Sequence, residues 1–183
     1  MSLIDESAIV IVTGISASGK STVCEALASR FARGVHVKGD IFRRMVVNGR
    51  AEMTAEPSEE ALRQLRLRYL LATSTADAYF NAGFSVVVQD VVIGPLLNEF
   101  VAMLTNSPLY VVVLAPRADV VAEREASRAK TAYHEGAASI AALDHVLRHE
   151  TPRIGMWLDT SDQTPEETVD EIVVRASIEA RVD

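Results

Sequence analysis

The sequence predicts an α/β fold in which one five-stranded parallel sheet carries helices on both faces. Apolar runs of strand length alternate with stretches whose apolar residues recur every three or four positions, the pattern of strands joined by crossover helices. The first run, Ala8-Ile9-Val10-Ile11-Val12, is apolar at every position up to Thr13, as suits a strand covered on both faces. A glycine-rich turn then leads from that strand into an amphipathic helical pattern.

Taken in order, the first strand covers 8–13 and the first helix 22–31, stopped near Arg33-Gly34. A short strand over 35–38 precedes Gly39-Asp40 and a helical segment over 41–47, closed by Asn48-Gly49. Pro57, Glu59 and Glu60 open a helix from 57 to about 82. Its buried stripe reads Leu62, Leu65, Tyr69, Ala72, Ala76 and Phe80, which leaves Arg63, Arg66 and Arg68 on a solvated face. Gly83 ends it, and strand 84–89 leads to Asp90. Gly94-Pro95 starts a helix to about 105, and strand 109–114 follows. Pro116 starts the helix that carries Arg117, Arg124 and Arg128. A polar break over 130–136 precedes a helix over about 138–149, then strand 154–158. Thr164-Pro165-Glu166-Glu167 announces the last helix as a capping box with proline at its first position.

With 183 residues, 49% of them hydrophobic, residues 1–183 suffice for one domain around one substantial core. A net charge of −7 argues against binding long nucleic acid, which depends on neutralising phosphates. Only Lys20, Lys38 and Lys130 are lysines, so nearly all positive charge is arginine, the better fork for phosphate. Cys24 has no second cysteine to pair with, and its neighbours Val23, Ala26 and Leu27 suit a packing thiol. No apolar run approaches a membrane span and the acidic N-terminus lacks a secretory pattern, so a cytoplasmic protein is expected.

The stretch Thr13-Gly14-Ile15-Ser16-Ala17-Ser18-Gly19-Lys20-Ser21-Thr22 reads GxxxxGKS between strand and helix. In that context the pattern predicts a loop that wraps the polyphosphate of a nucleoside triphosphate. Gly14 and Gly19 permit the dihedrals and close approaches the turn needs. The amides of Ser16, Ala17, Ser18, Gly19, Lys20, Ser21 and Thr22 would converge on phosphate at the positive end of the helix. Lys20 would reach the β- and γ-phosphates, and the Ser21 hydroxyl would ligate Mg²⁺.

Asp40 follows the second strand, on the edge where ligands bind in open α/β sheets. Its carboxylate could orient an acceptor hydroxyl, or cap the segment that follows. Asp90 ends an apolar strand in the manner of a carboxylate that supports Mg²⁺ through water, or caps the next turn. Arg117, Arg124 and Arg128 are spaced by seven and four, so one helix face would present them to transferring phosphates, with a lid over about 128–138. The alternative pairs them with Asp119, Glu123 and Glu125 on the surface. His145 and His149 are four apart, a zinc-compatible spacing with no third ligand, which favours a polar helix face. His134 falls in the polar break, within reach of a substrate or phosphate. The Asn/Thr-Lys-x-Asp motif of guanine-specific switch proteins is absent, since Lys130-Thr131-Ala132 does not match it.

Together the loop, Asp40, Asp90 and the Arg-x-x-x-Arg pair resemble the P-loop kinases of small molecules. The likeness is to the chloramphenicol phosphotransferase-like and zeta-toxin-like group, with gluconate kinase and phage polynucleotide kinase as relatives. It extends to Trp157-Leu158-Asp159-Thr160-Ser161 and the run from Thr164 to Val169. The resemblance implies a three-layer P-loop NTPase fold with strand order 2-3-1-4-5. It implies Asp40 as the base for the acceptor hydroxyl, Arg43 as its holder, and 159–163 near the adenine. Residues 41–82 become the acceptor-binding part. The activity expected is ATP- and Mg²⁺-dependent transfer of a γ-phosphate to a hydroxyl of a small-molecule acceptor, with Lys20, Asp40, Arg124 and Arg128 catalytic. The alternatives are a nucleoside monophosphate kinase, a polynucleotide 5′-hydroxyl kinase, or an ATP-sensing protein without transfer chemistry.

Overall fold

A computed structural model describes residues 3–127 and 139–183. Five parallel strands form one sheet: β1 Ile9–Thr13, β2 Gly34–Lys38, β3 Ser85–Gln89, β4 Leu109–Leu114 and β5 Met156–Leu158. Their order is β2-β3-β1-β4-β5, with Val10 opposite Val87 on one side and Tyr110 on the other. The helices are α1 Lys20–Ala28, α2 Asp40–Arg44, α3 Glu59–Asn81, α4 Leu96–Ala102, α5 Ala118–Ala126, α6 Ile140–His145 and α7 Pro165–Glu179.

The two-residue period of β1 divides the core. Val10 and Val12 pack with Cys24 and Leu27 of α1 and with Val169 and Ile172 of α7. Ile9 and Ile11 pack on the other face with Tyr69 and Ala72 of α3 and Leu97 and Phe100 of α4. Tyr69 meets Phe100 edge to face at 5.1 Å and donates its hydroxyl to the Val91 carbonyl at 2.7 Å. Cys24 is fully buried, and burial pushes its thiol well above the usual range. A packing thiol is what the sequence implied.

Several boundaries move for identifiable reasons. The first helix begins at Lys20 and stops at Ala28, where Ser29 turns its hydroxyl back to the Glu25 carbonyl at 2.9 Å. Gly34 is therefore not the helix stop; a Cβ there would lie 1.8 Å from the Ala28 carbonyl oxygen, so the strand passes only as glycine. α2 is shorter than expected, with Gly39 rather than Asp40 at its N-cap. α3 starts at Glu59 rather than 57, with Ser58 capping it by accepting from the Ala61 N–H at 3.1 Å. α4 ends at Ala102, short of 105. Ser139 caps α6, whose end widens into a π-turn over Val146–Glu150. The Thr164 capping box and N-terminal proline of α7 are present as read.

Among the described residues, no helix is long and apolar enough to cross a membrane.

Candidate nucleotide and acceptor site

The carboxyl ends of the strands carry the glycine loop, Asp40 and Asp90. The loop after β1 turns through left-handed backbone at Gly14 (φ 147°), Ala17 (φ 63°) and Gly19 (φ 95°). Gly14 is required by space as well, since a Cβ would come 2.5 Å from the Leu114 carbonyl oxygen. Thr13 closes the base of the loop by exchanging hydrogen bonds with the backbone of Val92, at 2.7 and 2.9 Å. The buried Lys20 ammonium donates to the Gly14 and Ile15 carbonyls at 2.8 and 2.6 Å, and to Ser18 Oγ at 3.4 Å. This draws the cation into the mouth of the loop, where a polyphosphate oxygen can replace a carbonyl.

Ser21, in the first turn of α1, accepts a hydrogen bond from Gln89 Nε2 at 2.8 Å. The amide orientation that satisfies both neighbours lets Gln89 Oε1 accept from His36 Nε2, also at 2.8 Å. A three-residue relay therefore runs from β2 through β3 to the Ser21 hydroxyl. Burial pushes the His36 ring below its ordinary value of 6.5, outweighing the support of Gln89; Lys38 lowers it further and Glu25 opposes. Unfolded, the ring takes up a proton near 6.5, whereas the folded ring resists it. The unfolded state thus binds more protons in the window between the depressed folded value and 6.5. Stability is intact above that window and is lost as pH falls through it. Melting temperatures between about pH 7.5 and 5 should drop more steeply for the natural protein than for His36→Gln. Parallel slopes would refute the assignment.

Asp40 opens α2 at the end of β2, and its half-exposed carboxylate accepts from Arg44 Nε at 2.6 Å. Arg43 is ion-paired with Glu52. The capping alternative for Asp40 is not realised: its side chain makes an i,i+4 ion pair instead.

Asp90 is where the sequence reading needs correction. Its carboxylate is fully buried, and Arg68 of α3 grips both oxygens, with Nε to Oδ2 at 2.7 Å and Nη2 on Oδ1. Oδ1 also accepts from the Val91 N–H at 2.6 Å. A Cβ at residue 39 would lie 1.9 Å from Oδ2, so Gly39 is what admits the carboxylate. Asp90 is thus paired with Arg68 at the sheet edge where the sequence places a Mg²⁺-supporting carboxylate. Arg68, in turn, is not on a solvated face: its side chain is 14% exposed, while Arg63 and Arg66 pair on the surface with Glu60 and Glu99. Burial works against the Arg68 charge, with Tyr69 and Asp40 among the groups that support it; a guanidinium stays protonated nonetheless.

The arginine face also changes. Arg117 is the extended N-cap of α5 and pairs with Asp162 and Asp119, so it does not share a helix face with Arg124. α5 ends at Ala126; Arg128, Lys130, His134 and the expected lid over 128–138 lie outside the described residues. Arg124 does reach the loop, donating to the Thr160 carbonyl at 2.8 Å and the Ser18 carbonyl at 3.4 Å. It lies 3.8 Å from where a Gly19 Cβ would stand. The buried Thr160 hydroxyl has no partner among the described residues. His145 and His149 stack on each other at 4.7 Å, and no metal-competent cluster of His, Cys, Asp or Glu occurs among the described residues.

Residues 9–153 match the AAA domain family AAA_33. The chain belongs to that family. Among solved structures it is similar to a sugar kinase from Janibacter sp. HTCC2649, at 19% identity, 92% of this chain, 93% of the other and a TM-score of 0.68. It is similar to a gluconokinase from Sinorhizobium meliloti 1021, at 19% identity, coverages of 91% and 90% and a TM-score of 0.56. The tunicamycin resistance protein of Deinococcus radiodurans aligns at 12% identity over 97% of this AAA_33 chain and 100% of its own, with a TM-score of 0.62. No curated protein matches the sequence. The likeness to these solved kinases holds at the level of the fold.

Proposed function

We propose that this chain is an ATP-dependent phosphotransferase that moves the γ-phosphate to a hydroxyl of a small-molecule acceptor. The observation that carries the reading is the Lys20 ammonium held in a glycine turn at the same sheet edge as the Asp40 carboxylate. The loop amides and Lys20 bind the phosphates, and Arg124 stands beside Ser18 and Gly19 to meet charge that spreads over the transferring group. Asp40 accepts the proton as the acceptor oxygen bonds to the γ-phosphorus. The bond from that phosphorus to the bridging oxygen breaks, and ADP leaves with the oxygen. Arg44 holds the Asp40 carboxylate in place for this step.

The donor set suits Mg²⁺ through Ser21, whose oxygen is oriented by Gln89. Bound there, the ion would supply positive charge that offsets the charge of the transferring phosphate. Asp90 is left out of that set by its pairing with Arg68.

Asp40→Asn is expected to lower acceptor phosphorylation by about 10²–10⁴-fold while leaving ATP affinity intact. ADP release and titration with a fluorescent ATP analogue check this. Normal turnover in the variant would remove Asp40 as the base, and tight ATP binding with no transfer to any acceptor would favour an ATP sensor.

A further inference from the structure

Between α2, the segment after it and α3 lies a cavity of about 200 Å³. Its wall is mainly Phe42, Met45, Val46, Met53, Leu65 and Leu71. It is below the ~300–1,000 Å³ typical of pockets for drug-sized ligands, room for a small ring system and not for a nucleotide. Its α2 wall belongs to the same short helix that begins with Asp40.

The few polar side chains at the wall are already engaged. Arg68 holds Asp90, and Arg43 holds Glu52. Gln64 accepts from the Ala51 N–H at 2.9 Å and donates to the Gly49 carbonyl at 2.9 Å and to Glu60 at 2.8 Å. A sugar or sugar acid carries a hydroxyl on nearly every carbon, and each would be stripped of water here without a partner. Apolar side chains at the rim remain exposed, Met45 at 64% and Leu71 at 39%. An apolar ligand would cover them, and methionines adapt to its outline.

We infer that the acceptor is a neutral alcohol with an apolar body, its hydroxyl presented to Asp40 and its ring or chain seated among the α2 and α3 side chains. This rests on the phosphotransferase reading for the role of the hydroxyl, and on the cavity alone for the apolar body. It departs from the sugar and gluconate chemistry in the names of the structural neighbours.

The test uses 2-naphthylmethanol, a fluorescent primary alcohol, with gluconate and glucose for comparison. Binding to the full chain is followed by fluorescence with and without ATP and Mg²⁺, and ADP release is measured in parallel. Saturable binding is expected, weakened about tenfold by either Met45→Lys or Leu71→Lys, as loss of apolar contact in a specificity pocket does. Leu70→Lys, on the same helix but outside the cavity wall, should bind as the natural protein does. Turnover, as kcat/KM, should favour the naphthyl alcohol by at least about tenfold. Faster turnover of gluconate or glucose overturns the acceptor class and leaves the phosphotransferase reading standing. Saturable, Leu71-dependent binding without ADP release from any acceptor supports the apolar cavity and counts against the phosphotransferase reading. Absence of saturable binding, or equal binding by the Leu70 and Leu71 variants, overturns the cavity assignment. So does a dimer that Leu71→Lys dissociates while the alcohol fails to bind, since a second copy would then be the occupant.

Discussion

Lys20→Ala should leave a folded protein whose phosphoryl transfer has fallen by roughly 10³-fold or more, the scale of removing a preorganised charge from a transferring phosphate. The fold is expected to survive because the loop's shape is set elsewhere: by the backbone of Gly14 and Gly19, and by the Thr13–Val92 pair beneath them. What is lost is a cation whose place is already defined by the Gly14 and Ile15 carbonyls. Lys20→Arg should not rescue the activity. A flat guanidinium cannot bring a compact charge into a mouth shaped for an ammonium group that donates in three directions. Circular dichroism, fluorescent-ATP titration and ADP release separate these effects. Transfer within tenfold of the natural rate in a folded Lys20→Ala protein would end the account of the loop given above.

Much of the scaffold was legible because its signals are local and redundant. β1 is apolar up to Thr13 and is buried on both faces; the Thr164 box fixes the start of α7 by hydrogen bonds that its own four residues supply. The site was legible only in part, because long-range pairing carries no local mark. Gln89 is a polar residue closing an apolar strand, with no local sign that its amide links His36 to Ser21 across three elements. Gly34 looked like a helix stop, yet it answers a close approach from Ala28. Arg117 fell on the arginine face by spacing, until the chain proved extended at that residue.

Arg68 is the instructive case. Ala61, Leu65, Ala72 and Ala76 lie on the inner side of α3, and position 68 falls three residues after 65 and four before 72. Helical spacing therefore put an arginine on the inward stripe. A charge there implies a buried counter-charge, because an isolated one is too costly. A search of strand ends for a carboxylate would have led to Asp90.

From that pairing follows the largest expected loss of stability. Arg68→Met should cost about 3–5 kcal/mol in unfolding free energy, the scale of stranding one member of a buried ion pair. The expectation rests on a carboxylate with 0% side-chain exposure, facing Gly39 so closely that even a methyl group could not intervene. Asp90→Asn in the Arg68→Met background should restore most of that loss, since the amide keeps the shape and removes the stranded charge. Urea denaturation of the natural protein, both single variants and the double variant closes the cycle, and the energy of interaction reads the pair directly. An interaction energy near zero would mean the two side chains act independently. Because Asp90 abuts the backbone of Gly39, and Gly39 immediately precedes Asp40, loosening the pair should also shift the proposed base. The Arg68→Met protein should then bind ATP normally but transfer phosphate more slowly, and the double variant should regain stability before it regains rate. Stability and rate would part company at this pair, because one depends on removing a buried charge and the other on where Asp40 is held.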